Sequence, residues 1–333
     1  MRRLLLGFLL ALVVPASAQA SVRVSAFFYP WYGTSSSDGA FMHWSQLGHA
    51  PPNDIASAYY PARGLYSSAD HVVLAQQMDE IKSSGIDEIA VSWWGKGSPE
   101  DARLPEVLGA ARADGIAVAA HLEPYTGRTV ASTVADLAYL RGLGIRTFYL
   151  YRPFDLPASD WGAAAAAMHG PGVTIFGQTA LVGAAAAAGF DGVYTYDIVV
   201  YGSDKFRRIC AEAHAHKLAC APSVGPGYDA RRGSGDPKVK QRRKGATYDS
   251  MWRAAIAAGA DRVTITSYNE WHEGTQIEPA AQPSHHGRYR YLSYDGAWGL
   301  HGKAAEYAYL VRTHYWADVL RSTSPLQLKT RAS

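Results

Sequence analysis

The run Thr266-Ser267-Tyr268-Asn269-Glu270-Trp271-His272-Glu273-Gly274-Thr275-Gln276-Ile277-Glu278 places two carboxylates, Glu270 and Glu273, three residues apart. Asn269, Trp271 and His272 stand between and beside them. At a glycosidic bond two carboxyl groups divide the work. One stays protonated to donate to the leaving oxygen, and the other acts as base or nucleophile. Like charges held close raise one group's pKa, which supplies that division. Aromatic faces stack on sugar rings, and amide or imidazole groups bind hydroxyls. Few structural explanations call for all of these on one short stretch.

Other chemistries fit less well. His272-Glu273-Gly274-Thr275-Gln276 opens like the zinc-protease motif H-E-x-x-H but ends in Gln, so the second ligand is missing. His285 and His286 are adjacent, and neighbours on a strand point apart, which makes a weak chelate. No G-x-S-x-G nucleophile elbow occurs. No metal and no cofactor are expected.

The elements that position these residues alternate with a regular beat. The run follows Asp261-Arg-Val-Thr-Ile265, whose apolar alternation reads as a strand. Further strands are expected at Val22–Tyr29, Ile86–Trp93, Ile116–Leu122, Ile145–Tyr151, Val173–Phe176, Gly192–Tyr196 and Leu218–Ser223. Helices are expected between them at Ala69–Ser84, Leu104–Asp114, Val130–Leu143, Ser159–Met168, Leu181–Ala188, Ser203–His216 and Thr247–Ala258, with a last one from Lys303 to Leu320. Glycine recurs just past helix ends at Gly85, Gly115, Gly144, Gly189 and Gly259, where a left-handed cap is wanted. This count is that of a single (β/α)8 TIM barrel. A doubly wound sheet competes, but no G-x-G-x-x-G follows the first strand.

In such a barrel the active site lies at the carboxyl ends of the strands. Polar and aromatic residues collect there: Tyr29, Trp31, His43 and Trp44 after the first strand, Trp94 after the second, and His121, Glu123 and Tyr125 after the third. Tyr196 and Asp197 follow the sixth strand and Tyr228 the seventh. The opposite ends carry little beyond glycine and small residues. Bland alternatives stand for single members. Glu123 before Pro124 could cap or pair with an arginine, His121 could be a satisfied core histidine, and Tyr29 and Trp31 could be core.

Composition narrows the class. Met1-Arg2-Arg3, an apolar run from Leu4 to Pro15 and Ala16-Ser17-Ala18-Gln19-Ala20 describe a secretory signal peptide over residues 1–20. Residues 21–333 are then expected to form one exported catalytic domain, extracellular or periplasmic, with no stable membrane span after signal removal. A formal charge of +3 is not that of a nucleic-acid binder, and the cluster from Lys238 to Lys244 reads as a solvated loop or helix start. Nine Trp and twenty-one Tyr suit carbohydrate stacking, though cores use aromatics too. Cys210 and Cys220 could form a disulfide or remain a buried free pair.

Asn269-Glu270-Trp271-His272-Glu273-Gly274-Thr275-Gln276-Ile277-Glu278 closely resembles the signature of glycoside hydrolase family 99, the endo-α-1,2-mannosidase and mannanase family. Tyr29-Pro-Trp-Tyr-Gly33, His43-Trp44, Val91-Ser-Trp-Trp94, His121-Leu-Glu-Pro-Tyr125, Phe190–Tyr196 and Pro226-Gly-Tyr228 support it in order along the chain. The resemblance implies a (β/α)8 barrel that cleaves internal α-mannosidic linkages with retention and without a metal. It implies Glu270 as the base that deprotonates the substrate 2-hydroxyl and Glu273 as general acid, then base. Glu123, Tyr29, Tyr228 and His121 would line the subsite of the cleaved mannose, and Trp94 the next one. Trp at that position, where the animal enzymes carry Tyr, points to a mannan-like substrate. The segment Ser35–Asp54 and Thr34 depart from the family pattern. Alternatives are a hydrolase of another α-linked glycan, or a non-catalytic carbohydrate-binding barrel.

Overall fold

The computed structural model describes residues 22–283, 285–286 and 289–323, without the side chains of 285 and 286. The expected signal peptide lies outside the described residues. The parallel strands are β1 (Arg23–Phe28), β2 (Glu88–Trp93), β3 (Ala117–Leu122), β4 (Thr147–Leu150), β5 (Thr174–Gln178), β6 (Gly192–Tyr194), β7 (Ala219–Ala221) and β8 (Ser223–Val224). A short antiparallel hairpin, β9 (Tyr228–Asp229) with β10 (Val239–Lys240), precedes the last stave, β11 (Arg262–Ile265). A second hairpin, β12 (His285–His286) with β13 (Tyr289–Arg290), follows it.

The sheet order runs β7-β6-β5-β4-β3-β2-β1-β11-β8, so β1 lies between β2 and β11. Ser25 stands level with Glu88 on one side and Thr264 on the other. The seventh expected strand is real but is cut at Pro222, which has no amide to give a ladder. Its first half pairs with β6 and its second with β11, closing the (β/α)8 ring.

Helices α2 (His71–Ser83), α3 (Pro99–Ala113), α4 (Val130–Gly142), α5 (Ala158–Met168), α6 (Val182–Ala187), α7 (Ser203–Ala215) and α8 (Ala246–Ala257) separate the staves, and a short α1 (Ser35–Asp38) interrupts the first loop. The final expected helix is broken into α9 (Lys303–Glu306) and α10 (Ala308–Thr323). Helix α3 starts earlier than the apolar pattern suggests. Its polar first turn is set by Ser98, which accepts from the Asp101 amide, and by Pro99 at the first helical position. The five helix-end glycines all adopt positive φ, as their spacing demands.

Sequence patterning missed one device at the amino ends of the strands. Asp87, Asp191 and Asp261 each stand two residues past such a glycine and accept the amide of the second residue of a neighbouring strand: Val24, Ile175 and Cys220, at 2.8–2.9 Å. The barrel interior at that end holds Glu88, buried and bonded to Arg262 (3.0 Å) and Ser25 (2.8 Å). Above it Phe27 packs on His121, Tyr149, Tyr194 and Tyr196 with ring centroids 4.5–5.7 Å apart. Burying a ring of that size contributes about 2 kcal/mol. Cys210 of α7 and Cys220 of β7 are joined as a disulfide. No helix among the described residues is long and apolar enough to cross a membrane.

Candidate active site

After β11 the chain closes on itself. Ser267 Oγ accepts from the Glu270 amide (2.8 Å), the Ser267 amide donates to the Thr275 carbonyl (2.9 Å), and the Glu278 amide donates to the Tyr268 carbonyl (2.8 Å). Gly274 has φ +62 and a Cβ there would lie 3.0 Å from the Asp229 carbonyl oxygen, so only glycine lets β9 approach. At that contact the Asp229 amide donates to the Glu273 carbonyl (2.8 Å), which fixes the second carboxylate. Arg242 clamps the loop from outside. Its Nη2 donates to the carbonyls of Gly274 (2.9 Å) and Gln276 (2.7 Å), and its guanidinium sits 4.6–4.7 Å from the rings of Tyr59, Tyr294 and Tyr309.

Four residues expected to touch sugar are instead part of this scaffold. Asn269 is buried and zips the loop to β1, accepting from the Tyr29 amide (2.7 Å) and donating to its carbonyl (3.1 Å). Trp271 is fully buried and donates from Nε1 to Glu278 (2.8 Å). Trp44 is fully buried, stacked on Tyr32 at 4.1 Å and bonded to the Tyr66 carbonyl. Tyr125 donates to Asp136 (2.6 Å) and packs on Gly95. Composition at a strand end cannot tell which aromatic faces the opening, and these face the wall.

A cleft of about 420 Å³ gathers the expected Trp31, His43, Trp94, Glu270, His272 and Glu273, together with Gln46, Glu100 and Ser234, which sequence reasoning passed over. Trp31 and His43 stack at 4.4 Å. The Tyr29 and Tyr196 hydroxyls share a hydrogen bond, and Tyr196 also donates to Glu273 Oε2 (3.4 Å). Glu123 joins a line of polar groups: Trp94 Nε1 donates to Ser92 Oγ (3.2 Å), which donates to Glu123 Oε1 (2.8 Å), with His121 Nδ1 at 3.0 Å. The other His121 nitrogen meets the Tyr194 hydroxyl at 3.0 Å. Ser92 could have been found as the polar residue in the carboxyl-terminal half of β2, between Val91 and Trp93. Tyr228 donates to Asp236 (3.0 Å) and lies with Asp197 and Tyr151 around a smaller space that also reaches Glu273. His43 (φ +63) and Tyr196 (φ +48) hold left-handed backbone, strain of about 1 kcal/mol or more that collects at this mouth.

Burial pushes Glu270 well above the usual carboxylate range and the nearby Glu273 adds to this, while the His272 and Glu273 amides pull back. Burial also raises Glu273, helped by Asp197 and Glu123 and opposed by the Tyr196 hydroxyl. The two carboxyl groups therefore hold a proton between them well into neutral pH. Burial lowers His272 to about 4 and His43 to about 3, so both imidazoles are neutral. His272 donates from Nε2 to the His43 carbonyl (2.6 Å), which leaves its Nδ1 lone pair 3.4 Å from Glu270 Oε1 and makes that carboxyl a stronger base. Tyr29 and Tyr196 are raised by burial and by the carboxylates, and stay as phenols. Among the described residues no group of three or more His, Cys, Asp or Glu is arranged to hold a metal. Neutral donors around one shared proton suit acid–base cleavage of a polyhydroxylated substrate.

Known proteins share both the sequence and the shape. The solved structure of the GH99 endo-alpha-mannosidase from Bacteroides thetaiotaomicron superposes with a TM-score of 0.80 at 29% identity, covering 90% of this chain and 98% of that one. A glycoprotein endo-alpha-1,2-mannosidase-like protein of Danio rerio is 31% identical over 320 residues, 77% of this chain and 71% of its own. The glycoprotein endo-alpha-1,2-mannosidase of Mus musculus is 28% identical over 324 residues, 81% of this chain and 70% of its own. The family model of Glycosyl hydrolase family 99 matches residues 20–161 and 172–322. With its closed (β/α)8 ring and carboxylate-bearing mouth, the chain belongs to glycosyl hydrolase family 99 and is a glycoside hydrolase.

Proposed function

We propose that the protein is an exported, retaining endo-α-mannosidase that hydrolyses internal α-1,2-mannosidic linkages of a mannan or mannose-containing glycan. The observation that carries this reading is the Glu270/Glu273 pair, Glu270 buried and Glu273 half-buried, both raised, facing a cleft walled by Trp31 and Trp94. Glu270 takes the proton of the 2-hydroxyl, and O2 attacks the anomeric carbon as the glycosidic bond breaks. The leaving oxygen receives the proton of Glu273, giving a 1,2-anhydro sugar. Water then attacks the same carbon and gives a proton to Glu273, while the epoxide C1–O bond opens and O2 recovers its proton from Glu270. Two inversions at one carbon amount to retention.

In this reading Tyr29, His121, Glu123 and Tyr228 hold the cleaved mannose, while Trp94 stacks on the next sugar. The relatives named for α-1,2-mannosidase activity support the linkage. A binding-only barrel has no use for a second raised carboxyl group. Export rests on the composition of residues 1–20. Product analysis on defined α-1,2-, α-1,3- and α-1,6-linked mannosides tests the substrate. Release of an α-configured reducing end from the α-1,2 compounds is expected, and no release from any of them refutes the assignment.

A further inference from the structure

Glu273 borders two spaces, the cleft and a polar chamber of about 40 Å³. Besides Glu273 the chamber is lined chiefly by Tyr151, Tyr196, Asp197, Tyr228, Thr266 and Thr275. It is too small for a sugar ring but ample for a water molecule, which needs roughly 10–15 Å³ and two to four polar partners. Asp197 is held rigidly at its rim. Its Oδ1 accepts from the amides of Val199 (2.8 Å) and Val200 (2.9 Å), and its carbonyl accepts from the Tyr201 amide (2.8 Å). Its second carboxylate oxygen has no hydrogen-bond partner among the described residues.

We propose that this chamber holds water bridging Asp197 to Glu273, and that Asp197 is a positioning residue that keeps the proton on Glu273 until the leaving oxygen takes it. The claim rests on the reading of Glu273 as general acid. A fixed negative charge across a water molecule makes a second negative charge on Glu273 unfavourable.

The surroundings of Glu273 leave Asp197 the best-placed charge for this task. Glu270 and His272 face it from its own loop, Tyr29 from behind β1, Glu123 from β3, Tyr151 from β4, Tyr196 and Asp197 from β6, and Tyr228 with Asp236 from the β9 hairpin. The four phenols are raised and stay neutral, and His272 is neutral as well. Glu123 is engaged by Ser92, Asp236 by Tyr228 and the Lys238 amide, and Glu270 by the His272 amide. After burial, Asp197 is the largest influence raising Glu273.

The test is a carboxyl ¹³C NMR titration of Glu273 in the whole protein, labelled at glutamate Cδ and assigned with Glu273→Gln. Asp197→Asn keeps the Oδ1 acceptor for both amides and removes only the charge. The Glu273 midpoint is expected to fall by about one unit. The alkaline limb of kcat/KM is expected to move to lower pH by the same amount, about a tenfold loss above it. Asp197→Glu restores the charge and should return the midpoint toward that of the parent. A midpoint that does not move in Asp197→Asn overturns the proposal. The titration reads Glu273 without substrate, so a protein that cleaves no mannoside would refute the functional reading and still decide this one.

Discussion

Glu278 and the Glu270/Glu273 pair lie on the same short loop, Glu270 and Glu278 buried and Glu273 half-buried, and yet their surroundings are opposite. Glu278 receives Arg63 Nε (3.1 Å), Gln77 Nε2 (2.8 Å), Tyr66 Oη (2.7 Å) and Trp271 Nε1 (2.8 Å). Glu273 receives one phenol at 3.4 Å and faces other carboxylates across the mouth. A buried carboxylate with a cation and three donors is a structural rivet. One left short of donors beside its own kind is held at a charge state it disfavours, and that disfavour is what acid–base catalysis uses.

The largest effect should come from the pair. Glu270→Gln and Glu273→Gln are each expected to cut turnover on a defined α-mannoside at least about a thousandfold, with substrate binding by calorimetry retained. Activity within tenfold of the parent in either variant would erase the distinction between the two kinds of carboxylate. Glu278→Gln should act on stability, costing about 3 kcal/mol in denaturant unfolding because the half-buried Arg63 keeps only Glu80 of its two carboxylates and three donors lose a charged acceptor. An unfolding midpoint equal to the parent's would show that the rivet holds nothing.

A third outcome has the opposite sign. A carboxyl whose folded pKa is raised keeps its proton longer in the folded state, so it removes stability as pH climbs from the unfolded value through the folded one. The cost is absent in acid and complete above the raised value. Glu273→Gln should therefore raise the melting temperature by an increment worth about 1 kcal/mol at slightly alkaline pH, and the gain should vanish near pH 4. In the parent, with Glu270 in its proposed role as base, the acid limb of kcat/KM is expected above the ordinary carboxylate range. The smallest effect is expected from Trp94→Ala, a rise of about fivefold in KM with kcat little altered, since the exposed ring would contribute stacking on the sugar and a single hydrogen bond to Ser92.

Much of the fold was legible because each βα unit repeats its own punctuation. Gly85, Gly115, Gly144, Gly189 and Gly259 end helices and announce the next strand, while the aspartates Asp87, Asp191 and Asp261 that tie strand to strand went unread. The break at Pro222 and the earlier start of α3 escaped the pattern, since both depend on which backbone amides find partners. At the mouth, spacing singled out Glu270 and Glu273. It could not separate Trp31, in the cleft wall, from Trp44, sealed beneath Tyr32, because both follow the same strand in similar company. Glu100 was hidden for another reason. It opens a helix, a position where acids are ordinary.

Arg242 gives the loop a property of a different kind. Its guanidinium rests among three tyrosine rings, with no ion pair to a carboxylate among the described residues, and it grips backbone carbonyls. Neither half of that grip gains or loses a proton in any pH range the protein survives, since arginine stays charged and a carbonyl has nothing to titrate. The acids of the loop change their protonation while their anchor does not. In the proposed mechanism, acidity then switches the chemistry on and off without moving the atoms that perform it.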